Sequence, residues 1–75
     1  TRNRLDAHFS KLLSGLDYVM LVIYEVIGDE LNLIVIHNNN DKTKAVREIN
    51  DRLSRLKSRR FKHVYLAIYH ISEFD

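Results

Sequence analysis

The chain has no cysteine, no proline and no tryptophan, and it has only two glycines among 75 residues. The absence of cysteine excludes disulfide bonds and zinc sites built on thiolates. No apolar run approaches the ~18 residues that a membrane-spanning helix requires, because Glu25 interrupts the longest one, residues 18–27. A secretory signal has a basic start followed by an apolar stretch, whereas residues 1–16 have the pattern of an amphipathic helix. We therefore expect a cytoplasmic protein that makes no contact with membranes.

The length of the chain sets the next limit. Its residues, 1–75, can form one domain at most. A domain of this size buries only roughly 60% of its unfolded surface, so small folds usually rely on disulfides, metals or association. With disulfides and thiolate zinc sites excluded, association is the remaining source of extra stability. We therefore predict a homodimer or a higher homo-oligomer.

Two segments have the apolar spacing of amphipathic helices. The first covers residues 4–14, and the second covers residues 42–59, where Asn40 or Asp41 can serve as the N-cap. In both segments, apolar residues recur every three or four positions, so each helix has one face that can pack on a sheet. These apolar stripes consist of Leu5, Phe9, Leu12, Leu13 and Leu16 in the first helix, and of Ala45, Val46, Ile49, Leu53 and Leu56 in the second.

Two β-branched and aromatic runs flank the dipeptide Gly28-Asp29. This pattern predicts a β-hairpin with a type II′ turn, in which Ile27 pairs with Glu30. One face of the hairpin then carries Tyr18, Met20, Val22, Tyr24, Val26, Leu31, Leu33, Val35 and His37. The other face, polar only toward the turn, carries Val19, Leu21, Ile23, Glu25, Ile27, Glu30, Asn32, Ile34, Ile36 and Asn38.

A third strand is predicted over residues 61–71, "FKHVYLAIYHI", which gives the order α-β-β-α-β. This is a single domain of the α+β class, a two-layer α/β sandwich in which both helices lie on one face of a three-stranded sheet. A right-handed crossover through the second helix is expected to place the third strand beside the first. Leu12, Ile49 and Leu53 should then be buried between the layers. At the level of fold alone, the arrangement is similar to a ferredoxin-like fold without its first strand.

The second face of this sheet is also apolar, yet the two helices can cover only one face. An uncovered apolar face of a sheet usually marks an interaction site. We therefore expect something to cover it, such as a second copy or a protein partner.

Positive charge is concentrated in residues 41–62, which hold nine of the twelve Lys and Arg against three acids. Arginine and lysine on an exposed helix can bind phosphates, and each contact releases counterions. The alternative is a solvated helix with pairs such as Glu48–Arg52 and Asp51–Arg55, whose last cations stabilise the helix dipole. Arg52, Arg55 and Arg59 are expected to form one exposed ridge. The predicted nucleic-acid-binding residues are Lys44, Arg47, Arg52, Arg55, Arg59, Arg60 and Lys62.

Tyr65 and Tyr69 share one face of the third strand with His63. Bases could stack on such rings if the face were open, but tyrosine in strands more often packs in a core or interface, and we expect packing here. The four histidines lie in different elements or on different faces, so no metal site is predicted. No nucleophile with a base and an orienting partner is visible, so we predict neither an enzyme nor a cofactor.

Two functions follow from these features. The first is a small, non-enzymatic, oligomeric protein that binds DNA or RNA through the phosphate contacts of a basic helix. The second is a protein-interaction or dimerisation domain that uses an apolar sheet face, while its cations are only solvated. Salt dependence separates them, because polyanion binding weakens steeply as salt rises.

Overall fold

The computed structural model describes residues 2–56 and 63–74 and confirms the α+β fold with the order α-β-β-α-β. None of the helices in this described part of the chain is long and apolar enough to cross a membrane. The elements are α1 (Arg2–Leu12), β1 (Val19–Ile27), β2 (Glu30–His37), α2 (Lys42–Leu53), a 3-10 turn (Ser54–Leu56) and β3 (Tyr65–Ser72).

The hairpin of β1 and β2 forms with the predicted register at its turn. Gly28 has φ +60°, whereas Asp29 does not have a positive φ, as a type II′ turn requires. Ile27 pairs with Glu30, and the antiparallel ladder continues outward from there. The tight turn therefore determines which side chains share a face along most of both strands.

A β-bulge near the start of β1 changes this pattern at two residues. Val19 lies opposite His37, but Leu21 lies opposite Ile36, so an extra residue is inserted between them. The predicted faces are wrong at this point: Val19 packs against the core, and Met20 is exposed. Nothing in an alternating apolar run signals a bulge, because both residues are apolar.

The sheet has the order β1-β2-β3, and β3 pairs with β2 in parallel. The expectation that β3 lies beside β1 is therefore wrong. The physical reason is the connection through α2. This helix joins two parallel strands as a βαβ crossover and packs over both of them, so the two strands lie side by side. Two backbone bonds fix the ends of β3, from the Tyr65 N–H to the Asp29 carbonyl at 2.9 Å and from the Glu73 N–H to the His37 carbonyl at 2.8 Å.

Both helices pack on the same face of the sheet, as predicted. Leu53 and Ile49 are fully buried, whereas Leu12, expected in the core, is only half-buried and its neighbour Leu13 is buried instead. Asp41 is the N-cap of α2, since its Oδ1 accepts a 3.0 Å hydrogen bond from the Lys44 N–H. The buried apolar core consists of Phe9, Leu13, Leu31, Leu33, Val35, Ala45, Ile49, Leu53 and Leu56.

Candidate interaction surfaces

The face of the sheet that points away from the helices carries a continuous apolar patch. The register places Ile36 between Leu21 and Ile71 in one row across the three strands, and the next row toward the turn is also apolar. The residues on the two edge strands are half exposed, from 48% for Ile71 to 57% for Tyr69. We call this surface the apolar patch; it consists of Leu21, Ile23, Ile34, Ile36, Tyr69 and Ile71.

Polar side chains border the apolar patch on the side of the hairpin turn. Asn32 lies between Glu25 and Ala67 in the ladder, and the last level contains Glu30 beside Tyr65. Among the residues of the three strands, Glu25 and Glu30 are the charged side chains of this face, and both are negative. The described open face therefore offers apolar contact with an acidic margin, which disfavours phosphate.

The tyrosines of β3 lie on this open face, and they are exposed. Tyr65 is 75% exposed and Tyr69 is 57% exposed, so neither ring packs in the core of the single chain. Packing of these rings in an interface stays a prediction. The alternation of β3 predicts which residues share a face, but it cannot tell which face the helices cover. The tyrosine of β1 is on the covered side: Tyr24 stacks edge-on against Phe9 at 5.0 Å and donates a 2.8 Å hydrogen bond to Asp6.

The basic residues predicted to contact phosphate divide into three groups. Lys44, Arg47 and Arg55 are exposed on the outer side of α2 and the 3-10 turn. Arg55 forms the predicted ion pair with Asp51, at 3.8 Å between two largely exposed side chains, so the interaction is weak. Arg52 forms the second group, and Arg59, Arg60 and Lys62 form the third, which lies outside the described residues.

Arg52 does not contribute to an exposed ridge, which corrects the prediction. Its Nη1 donates to the backbone carbonyls of Leu12, at 3.1 Å, and of Ser14, at 2.7 Å. The Leu12 carbonyl belongs to the last turn of α1 and the Ser14 carbonyl lies just beyond it, where carbonyls have no partner within the helix. A cation at this end also interacts favourably with the helix dipole. Glu48, the expected partner of Arg52, accepts a 2.6 Å hydrogen bond from the Tyr18 hydroxyl. Arg52 therefore joins α2 to α1.

A polar cluster lies between α2 and the sheet at the carboxyl ends of β2 and β3. His37 is buried, its Nδ1 accepts a 3.2 Å hydrogen bond from the Asn39 N–H, and its ring is 6.3 Å from that of Tyr18. His70 lies on the same face, opposite Val35 on β2. The two histidines belong to different strands, as expected, but the parallel register of β2 and β3 brings them onto the same face, which the sequence did not predict.

The pKa values of two groups in this cluster, His70 and Tyr18, are shifted toward the neutral form. Burial, followed by charge repulsion from His37, lowers the pKa of His70. The Nε2 of His70 is 2.9 Å from the Asn50 Oδ1, whereas its buried Nδ1 has no partner. Burial and the hydrogen bond to Glu48 raise the pKa of Tyr18 to about 12. These contacts attach α2 to the sheet, and within residues 2–56 and 63–74 no three His, Asp or Glu residues are placed to hold a metal ion.

A cleft of about 440 Å³ lies between α1 and the outer edge of β1. Sequence analysis did not identify it, because a cleft depends on how α1 is placed over the sheet. The sequence held no signal for it, since the predicted sheet placed the first strand between two others, whereas β1 is an edge strand. Its lining consists of Asp6, Phe9, Ser10 and Leu13 from α1, Leu16, and Val19 to Val22 with Tyr24 from β1.

Comparisons of the chain with known protein families, with characterised proteins and with solved structures found no match.

Proposed function

We propose that this chain is a protein-interaction domain that forms a homodimer by packing its apolar patch against the patch of a second copy. One observation carries the proposal: six apolar side chains form two complete levels of the open sheet face, and no described element covers them. A face-to-face dimer related by a two-fold axis covers both patches at once. It also leaves the helix layers on the outside, where the charged residues of α2 stay in water.

The exposed fractions predict the strength of this dimer. Complete burial of a Leu, Ile or aromatic side chain contributes about 1.5–3 kcal/mol, so the exposed parts of the patch add roughly 4–7 kcal/mol per copy. The two copies together give about 8–14 kcal/mol, which is comparable with the ~4–15 kcal/mol that association costs. The proposal is therefore a dimer whose population depends on protein concentration.

Sedimentation equilibrium of Ile23→Lys and Val26→Lys tests this proposal. The two residues are on the same strand and are 49% and 56% exposed, but only Ile23 belongs to the apolar patch. We expect the wild type and Val26→Lys to dimerise at high micromolar concentration, whereas Ile23→Lys stays a monomer because a lysine cannot be buried there. A wild type that remains at 8.9 kDa under these conditions would contradict the proposal.

Polyanion binding by the outer side of α2 is the second candidate. Lys44, Arg47 and Arg55 are exposed, and their spacing puts them on one side of the helix axis. Arg59, Arg60 and Lys62 belong to the same basic segment of the sequence. Arg52 is omitted from this set because it is bonded to α1. The dimer described above would present two such surfaces on opposite outer sides.

Fluorescence anisotropy with a mixed-sequence duplex and a single strand tests this candidate. At about 50 mM salt, even a few phosphate contacts give a measurable signal. We expect Lys44→Glu with Arg47→Glu to abolish binding, while Arg4→Glu, an exposed cation of α1, leaves it nearly unchanged. If the wild type does not bind at this low salt, the cations are only solvated and the interaction domain is the remaining function.

A further inference from the structure

The outer edge of β1 is a nine-residue strand edge without a described neighbour. Proteins usually protect such edges with lysine, proline or a bulge, because unpaired backbone groups recruit further strands. β1 contains neither lysine nor proline, and Glu25 is its one charged residue. Its bulge lies at the first residues, between Val19 and Leu21. From Val22 to Ile27 the edge is regular and open.

The cleft beneath α1 lies directly beside this edge. Its volume of about 440 Å³ is in the range of sites that bind ligands or side chains. Phe9 and Leu13 line it from the helix, and Val22 and Tyr24 line it from the strand. A strand added to β1 would point every second side chain toward this cleft, since side chains alternate between the faces of a sheet. The cleft and the regular part of the edge overlap at Val22 and Tyr24, so backbone groups and the cleft would act on the same segment there.

The charge of the hairpin determines which segment fits. No Lys or Arg occurs between Lys11 and Lys42, whereas five acids lie in that interval: Asp17, Glu25, Asp29, Glu30 and Asp41. Asp6 adds a carboxylate at the mouth of the cleft. Pairing of β1 with β1 of a second copy would bring two acidic hairpins together, which like charges oppose. The negative charge of the hairpin attracts a basic segment.

We propose that the β1 edge and the adjoining cleft bind an extended segment of a partner protein in which apolar residues alternate with lysine or arginine. The segment adds as a fourth strand of the sheet. Its apolar side chains enter the cleft, and its basic side chains lie on the open face, where Glu25 is at the edge. This site shares Leu21 with the apolar patch, but it uses the backbone groups at the edge of β1, which the proposed face-to-face homodimer does not use.

The probe is a nine-residue peptide, matched to the length of β1, with the sequence acetyl-Lys-Val-Thr-Val-Lys-Val-Thr-Val-Lys-amide. It is titrated into the ¹⁵N-labelled full chain and followed by amide chemical shifts. We expect saturable shifts confined to β1 and α1. A peptide with Glu in place of Lys should bind at least about tenfold more weakly. A fully N-methylated peptide, which keeps the charge but cannot donate backbone hydrogen bonds, should not bind.

Two variants of α1 localise the binding. Ser10 lines the cleft and is exposed, while Ala7 is exposed on the same helix and does not line it. Ser10→Tyr should fill the cleft and weaken the peptide at least about tenfold, while Ala7→Tyr should leave its affinity unchanged. Equal binding of the N-methylated peptide, shifts that map to α2 or to the patch residues of β2 and β3, or no binding at all would each overturn the proposal. These peptide controls remain decisive if Ser10→Tyr fails to fold.

Discussion

The two faces of the sheet have similar residues but opposite environments. On β2, Leu31, Leu33 and Val35 are completely buried beneath the helices. On the other face, Ile23 and Leu21 of β1 are about half exposed, although they are as apolar as the buried residues. The difference lies in the cover and in the strand: two helices are enough for one face only, and on the edge strand even Val26, which pairs with Leu31 on the covered face, is 56% exposed. An apolar face without a cover indicates a binding surface, which is why the function is sought there.

The largest expected effect is the loss of a core side chain under the helices. Leu53 is fully buried, so Leu53→Ala should lower the free energy of unfolding by about 2–5 kcal/mol through lost burial and a cavity. Ile23→Ala on the open face should cost under about 1 kcal/mol, as is usual for surface positions. Urea denaturation at low protein concentration, where dimers dissociate, measures both. Equal losses would mean that the two faces do not differ in cover.

The next largest effect concerns the hydrogen bonds that attach α1 to α2. Arg52 donates two hydrogen bonds to carbonyls at the C-terminal end of α1, and hydrogen bonds to charged groups contribute about 1.5–3 kcal/mol each. Because the site is only half-buried, Arg52→Ala should cost roughly 1–2 kcal/mol. Arg47→Ala, an exposed arginine of the same helix, is the control and should be nearly neutral. Hydrogen exchange should show that α1 opens more often in Arg52→Ala than in the control.

Much of the fold was predictable because local chemistry determined it. Gly28 at the first central turn position set the register of the hairpin, and this register identified the residues of both faces. The period of α2 identified Ile49 and Leu53 as buried. Asp41 was one of two possible caps, and the structure selects it. In each case the signal lies within a few residues of the feature that it predicts.

What could not be predicted depends on contacts between distant segments. The position of β3 beside β2 follows from how α2 packs, and no residue of β3 encodes its neighbour. Arg52 has the sequence context of a solvated cation, and its role is visible only when α1 is beside it. The exposure of Tyr69 depends on the face that the helices cover. The sequence therefore predicted that the candidate site is an apolar face. Its composition, its aromatic edge and its acidic margin could be identified only from the three-dimensional arrangement.

Alkaline pH should weaken the attachment of α2 through Tyr18. The pKa of Tyr18 is raised from 10.0 to about 12 in the folded protein, so folding favours the neutral phenol. Its contribution to stability is complete below pH 10 and is lost as the pH rises from 10 to 12. Unfolding free energies measured over this window should decline in the wild type. In Tyr18→Phe the decline should be shallower, and an identical decline in both proteins would contradict this role of Tyr18.

The smallest effect is expected from His70 at acidic pH. Its pKa is lowered in the folded protein because the ring is partly buried and His37 repels its charge, so folding favours neutral imidazole. The group therefore contributes stability above its unfolded pKa of about 6.5, and this contribution is lost as the pH falls through the lowered value. His70→Gln keeps a polar group near Asn50 and cannot titrate, so its stability should depend less on pH below 6.5.

His63→Gln, at an exposed position before β3, is the matched control. His70 lies on the covered face, whereas Tyr69 lies on the open face. Acid should therefore weaken the packing of the helices on the sheet without affecting the apolar patch. Thermal unfolding of the three proteins between pH 5 and pH 8 measures this effect. If the dependence of stability on pH disappears in His63→Gln and persists in His70→Gln, the effect does not come from His70.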